Sequence, residues 1–161
     1  MLKSVRSKNL RAGGGCFAIV ASRYNGQYVE AMLRAARREL KRAGAQIRVL
    51  RVPGAFEIPA VAARLAAEAR ARTGGSSLSA IIGLGVIFQG ETSHAQHIGW
   101  GVTHALAQIQ VLHQIPVIHG VFVFENTEQA KVRCLGKKHN RGTEAAQTAL
   151  EMARLMEHWR D

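Results

Sequence analysis

Two rhythms of apolar and polar positions alternate along this chain. Phe17–Ser22 is a short apolar run with small residues, as a buried strand requires. From Tyr28 to Lys41 the rhythm changes. Val29, Met32, Leu33, Ala36 and Leu40 fall on one helical stripe, and Gly44 closes it. Gln46–Val52 alternates and predicts a second strand. Pro53-Gly54 is a turn, and Pro59 fits the first turn of an alanine-rich helix that runs to about Arg72. Thr73–Ser77 is a polar, glycine-containing loop. Ala80–Phe88 has the length and β-branched content of a strand buried on both faces. Gly90 ends that run, Thr92 and Ser93 are candidate helix N-caps, and apolar residues recur at helical spacing from Ile98 to Leu112. Pro116–Phe124 is a fourth strand. Asn126-Thr127-Glu128-Gln129 opens a short helix to about Leu135, and Gly136–Gly142 is a basic turn. Thr143 to about Trp159 is a last helix, with Ala146, Leu150, Ala153 and Met156 on one stripe.

Strand followed by helix, four times over, predicts an α/β fold: a three-layer α/β/α sandwich around a four-stranded parallel sheet. Residues 16–161 are expected to form one domain, and residues 1–15 a basic, glycine-ended flexible tail outside its core. That tail lacks the continuous apolar segment of a signal peptide, and no apolar run approaches the ~20 residues of a membrane span.

Composition adjusts this picture in three places. The formal charge of +11 raises the possibility of a nucleic-acid partner. Lys3, Arg6, Lys8 and Arg11 lie in the tail, however, and Arg34, Arg37, Arg38, Lys41 and Arg42 fit the solvated face of the first helix. Aromatic residues are only 6% and are not interleaved with the basic ones, so a base-stacking surface is not indicated. Cys16 and Cys134 are isolated, which fits free thiols in a cytoplasmic protein better than a metal site. His94 and His97 have i, i+3 spacing, but no cysteine or HExxH pattern joins them, so no metal is expected.

In a parallel sheet, ligands bind at the carboxyl ends of the strands. Three such ends carry chemistry here: Ser22–Asn25, Pro53–Glu57 and Phe88–His94. The third offers free backbone N–H groups and two hydroxyls at a helix N-terminus, which suits an anion. Beside them stands His94, able to move protons near neutral pH. Together they suggest chemistry on a small phosphorylated molecule. Tyr24 could stack on a planar heterocycle or simply be a half-exposed helix-start residue, and Glu57 could bind ligand or merely cap its helix. His119 lies in strand four and either reaches the pocket or packs. Arg133, taken alone, is a surface arginine.

These fragments resemble lumazine synthases in their order. They are Ser22-Arg23-Tyr24-Asn25, Val52-Pro53-Gly54-Ala55-Phe56-Glu57-Ile58-Pro59, Gly90-Glu91-Thr92-Ser93-His94, Pro116-Val117-Ile118-His119-Gly120-Val121, Glu128-Gln129-Ala130 and Asn140-Arg141-Gly142-Thr143-Glu144-Ala145-Ala146. The resemblance runs from about Phe17 to Met156. It implies a flavodoxin-like fold and the condensation of 5-amino-6-(D-ribitylamino)uracil with 3,4-dihydroxy-2-butanone 4-phosphate. No cofactor is implied.

By the same resemblance His94 is the proton-transfer residue. Tyr24 takes the place of the aromatic that stacks on the pyrimidine. Ala55, Phe56 and Glu57 form the segment that binds that substrate, and Val86, Ile87 and Phe88 line its ring pocket. Glu91, Thr92 and Arg133 bind the phosphate, with Lys137 adding charge nearby. His119 comes from the edge of a neighbouring subunit. Three residues depart from the family pattern: Gln89 replaces a frequent arginine, Gln96 an acidic residue and His119 a phenylalanine. The resemblance further implies a homopentamer with sites between subunits, and it leaves a free pentamer and a sixty-subunit shell both open. A weakly catalytic or non-catalytic flavin- or lumazine-binding relative of the same fold is the alternative reading.

Overall fold

The computed structural model describes residues 15–71 and 78–159. The predicted tail therefore lies almost wholly outside the described residues, as does the Thr73–Ser77 loop. Four strands form the sheet: β1 (Cys16–Ser22), β2 (Gln46–Val52), β3 (Leu78–Phe88) and β4 (Val117–Phe124). All pair in parallel, in the order β2-β1-β3-β4. The helices are α1 (Gly26–Arg42), α2 (Ile58–Ala71), α3 (His94–His113), α4 (Thr127–Ala130) and α5 (Arg141–Glu157). A short 3₁₀ turn over Ala55–Glu57 precedes α2, and a π turn over Lys131–Leu135 continues α4.

Helices cover both faces of the sheet, which gives the expected three-layer α/β/α arrangement. Alternate residues of each inner strand face opposite layers. Phe17, Ile19, Ile82 and Leu84 pack with Val29, Met32 and Leu40 of α1 and with Ala146 and Leu150 of α5. Ala18, Val20 and Ile81 pack with Ile58, Ala62 and Leu65 of α2 and with Val102 and Leu106 of α3. β3 is the buried spine. Ser79 to Val86 is buried throughout, which explains its near-continuous apolar sequence.

The chain runs from β1 outward to β2, then crosses back to β3 and outward to β4. The strand order therefore reverses between β1 and β3, the point where open parallel sheets place a ligand crevice. Helix boundaries refine the sequence reading. α3 begins at His94, as the N-cap candidate Ser93 predicts, so the histidine belongs to the first turn. Ser93 occupies the N-cap position, but its side chain makes no cap. Its Oγ lies 3.1 Å from His97 Nε2 instead. Asn126 does cap α4, accepting from Gln129 N–H at 2.9 Å. Gly44 ends α1 region with φ of 77°, a left-handed conformation.

Candidate active site

Local hydrogen bonds tie the three strand ends together. Arg23 N–H donates to Val52 O at 2.9 Å and Tyr24 N–H to Pro53 O at 3.1 Å, so the loop after β1 lies on the loop after β2. Asn25 takes a left-handed backbone, φ 55°, which asparagine tolerates better than most residues. From there its Nδ2 donates to Val86 O at 2.8 Å. One side chain thus bridges the β1 loop to the end of β3, across the point where strand order reverses. The sequence marked Asn25 as part of the Ser22–Asn25 strand end but gave it no role of its own.

On this floor stand the predicted ring-binding residues. Tyr24 is 68% exposed and Phe56 58% exposed, unusual for aromatic rings and suited to a ligand or a second chain. The Tyr24 ring lies against Gly54: a Cβ built there would be 3.0 Å from Cδ2. Glu57 accepts from Gly54 N–H at 2.9 Å, so one carboxylate oxygen performs the capping role considered from sequence. Ala55 is buried against β3 at Gly85. The Phe56 ring lies against α3 at Gly101. Gly101 follows His94 by seven residues, so the two share a helix face about two turns apart.

At the strand end expected to line the ring pocket, the three side chains divide between the two layers. Val86 is 2% exposed and packs into the core, and Phe88 turns its ring edge-on to Tyr28 of α1 at 5.5 Å. Ile87 points to the opposite layer. Strict alternation along the strand forbids all three from facing one ligand. Val86 carries its backbone carbonyl to the crevice, where Asn25 already occupies it.

The anion-binding candidates form a separate group. Gln89 to Ser93 connect β3 to α3, with Glu91, Thr92 and His94 exposed. Gln89 N–H donates to Phe124 O at 2.8 Å, and its side-chain Nε2 donates to Gly90 O at 2.9 Å and Thr92 O at 2.8 Å. Thr92 Oγ1 accepts weakly from His94 N–H at 3.4 Å.

Arg133, His119 and Lys137 have other neighbours among the described residues. Arg133 lines a cavity beyond the end of β4 with Phe122, Phe124, Asn126 and Gln129, and no residue of Gly90–His94 borders it. Lys137 is exposed in the turn before α5. His119 lies on the outer edge strand, its Nε2 2.8 Å from Thr103 Oγ1 of α3, beside Phe122. Its pKa is lowered by the burial of part of its ring, against an opposing backbone hydrogen bond. Among the described residues, no group of three or more His, Cys, Asp or Glu side chains gathers as metal ligands, and no helix is long and apolar enough to cross a membrane.

This combination of fold and loop chemistry has known counterparts. The family model for 6,7-dimethyl-8-ribityllumazine synthase matches residues 14–157. The chain belongs to the 6,7-dimethyl-8-ribityllumazine synthase family. A lumazine synthase of Stenotrophomonas maltophilia (strain K279a) is 40% identical over 144 residues, 88% of each chain. One from Xanthomonas campestris pv. campestris (strain B100) is 38% identical over 152 residues, 92% of this chain and 94% of the relative. One from Xanthomonas oryzae pv. oryzae (strain PXO99A) is 37% identical over the same length. The lumazine synthase match spans all four strands and all five helices, so it covers the crevice, the loop before α3 and the Arg133 turn together.

Proposed function

We propose that the chain condenses 5-amino-6-(D-ribitylamino)uracil with 3,4-dihydroxy-2-butanone 4-phosphate to give 6,7-dimethyl-8-ribityllumazine, inorganic phosphate and two waters, as a cytoplasmic transferase of riboflavin biosynthesis. The observation that carries this reading is the placement of His94 on the first turn of α3. It directly follows the anion-suited loop and shares a helix face with the residue that touches Phe56. The substrate's own 5-amino group attacks the ketone and expels the first water as an imine forms. Loss of phosphate then yields a second carbonyl by tautomerisation. The ribityl-bearing nitrogen closes the ring on that carbonyl and expels the second water. Every step needs protons moved and reactants held, and none needs a protein nucleophile. His94 moves the protons. Glu91 and Thr92 hold the phosphate through the loop, with Arg133 and Lys137 supplying positive charge. Tyr24, Ala55, Phe56 and Glu57 hold the pyrimidine and its ribityl chain, over the backbone at the end of β3 from Val86 to Phe88.

The reading takes His119 and Arg133 from a neighbouring subunit, so it requires a second copy. His119 and Arg133 of one subunit then complete the crevice of the next, in the homopentamer this family implies. The outer face of α3 supports such an assembly. The helix buries Ala95, Val102, Leu106 and Ile109 inward, and leaves Trp100, Val111 and Leu112 largely exposed.

The decisive experiment is turnover with both substrates, followed by lumazine fluorescence. The His94→Ala variant is expected to lose on the order of 10²-fold in kcat, with affinity for the pyrimidine kept within a few-fold. Unchanged kcat removes His94 from the proposed role. No turnover by the unaltered protein, with tight lumazine or riboflavin binding, replaces the enzyme reading by the flavin-binding one.

A further inference from the structure

We propose that Gln89 is a positioning residue that sets the phosphate loop, acting through the backbone rather than through its own contact with the anion. The proposal rests on the reading of Gly90–Ser93 as the phosphate loop. Gln89 is held at both ends. Its backbone N–H is bonded to Phe124 O at the end of β4, so the residue is fixed to the sheet. Its carboxamide places both protons of Nε2 on loop carbonyls, Gly90 O at 2.9 Å and Thr92 O at 2.8 Å. An amide nitrogen has two donors, and these bonds use both.

The consequence follows from peptide geometry. In a trans peptide the C=O of one residue and the N–H of the next point in opposite directions, and the described residues contain no cis bond. Drawing Gly90 O and Thr92 O toward Gln89 turns the N–H groups of Glu91 and Ser93 the other way. Carbonyl dipoles, which repel an anion, are gathered on one side of the loop. Amide dipoles, which attract it, are presented on the other, directly before the N-terminus of α3. Glu91 makes no hydrogen bond among the described residues, so its N–H is free to take one from a phosphate oxygen. A carboxylate in place of Gln89 has no donor and would reverse this ordering. A lysine keeps a multiple donor at nearly the same reach.

Gln89→Met keeps length and flexibility and removes both donors, and Gln89→Lys restores them. In the intact protein, the Met variant is expected to raise the KM for the phosphorylated butanone about tenfold, as two partly exposed hydrogen bonds imply. The KM for the pyrimidine should stay within twofold, and the Lys variant should recover most of the loss. Inorganic phosphate, titrated by calorimetry, reads the same loop without turnover, and its Kd should rise by the same factor in the Met variant. A Met variant with unchanged phosphate Kd and unchanged KM overturns the proposal. So does an equal change in both KM values, or a wild-type protein that does not bind phosphate. Phosphate binding that depends on Gln89 in a protein that makes no lumazine would keep the positioning role and overturn the enzymatic reading.

Discussion

Cys134 shows how one residue type changes meaning with its surroundings. In sequence it is an isolated thiol. In the fold it is fully buried beneath α5, its carbonyl taken by the Nδ2 of Asn140, whose Oδ1 also accepts from Gly142 N–H at 2.9 Å. Burial pushes the thiol from its usual 9.0 up to about 11, slightly opposed by the Arg141 charge. The folded chain therefore keeps this proton where the unfolded chain has lost it. Its stabilising contribution is complete below pH 9.0 and disappears as pH rises through about 11. Two consequences are measurable. At pH 8 the native protein should leave Cys134 unmodified by a thiol reagent that labels the unfolded chain fully. Urea unfolding between pH 8 and 10.5 should show a smaller loss of stability in Cys134→Ala than in wild type, by up to about 2 kcal/mol. Equal slopes in the two proteins would show that burial does not hold this proton.

At the scale of elements, the tightest junction is the start of α5 against α1. A Cβ at Gly142 would lie 2.0 Å from Met32 O, and the obstacle is backbone that no rotamer change relieves. The sequence pattern marks both helices through their apolar stripes but gives no sign of how closely they approach. Gly142→Ala is expected to destabilise the protein by about 3 kcal/mol, because the helices must separate and the packing of Met32, Ala145 and Ala146 loosens with them. Gly26→Ala in the first turn of α1 meets nothing within 4 Å and serves as the control, with a change of less than about 1 kcal/mol. Denaturant midpoints for the two variants decide the matter: similar values would remove the steric account of the junction. Elements were otherwise legible because their periods are unambiguous. Where they were not, a side chain intervened. Ser93 reads as an N-cap, yet its hydroxyl meets His97, and the turn after Ala130 widens to π form around buried Cys134.

For the whole molecule, the question is how a site divided over one chain becomes whole. His94 opens α3, Arg133 lies beyond the end of β4, and the cavity that Arg133 lines with Phe122 and Phe124 has no residue of the loop before α3 in its lining. A net charge of +11 opposes association at long range, while the exposed Trp100, Val111 and Leu112 of α3 favour it at contact. If His94 and Arg133 of different subunits make one site, two inactive variants should rescue each other. Co-refolding or co-expressing His94→Ala with Arg133→Ala in equal amounts is expected to restore about a quarter of wild-type activity, since random assembly leaves that share of interfaces with both residues intact. Sedimentation should give five times the 17.5 kDa of the chain, or a multiple of that pentamer. An active mixture no better than its components would place both residues in the same subunit's site.

What the sequence determined by itself was the order and type of elements, the two-faced burial of β3 and the loops that carry chemistry. Those properties are local or periodic, and a linear chain displays them directly. The tertiary structure decided which of those loops meet. Asn25 reaches Val86 over a separation that only the parallel pairing of β1 and β3 closes. Strand alternation sends Val86 and Phe88 into one layer and Ile87 into the other, so a contiguous motif divides between two environments. Gln89 was visible as a departure from a family pattern, but its two hydrogen bonds to Gly90 O and Thr92 O exist only once the loop has closed on α3. That His119 meets Thr103 of α3, and that Arg133 lines a cavity with Phe122 and Phe124, was equally invisible in the chain, because sequence order carries no information about which side of a helix or sheet edge a residue occupies.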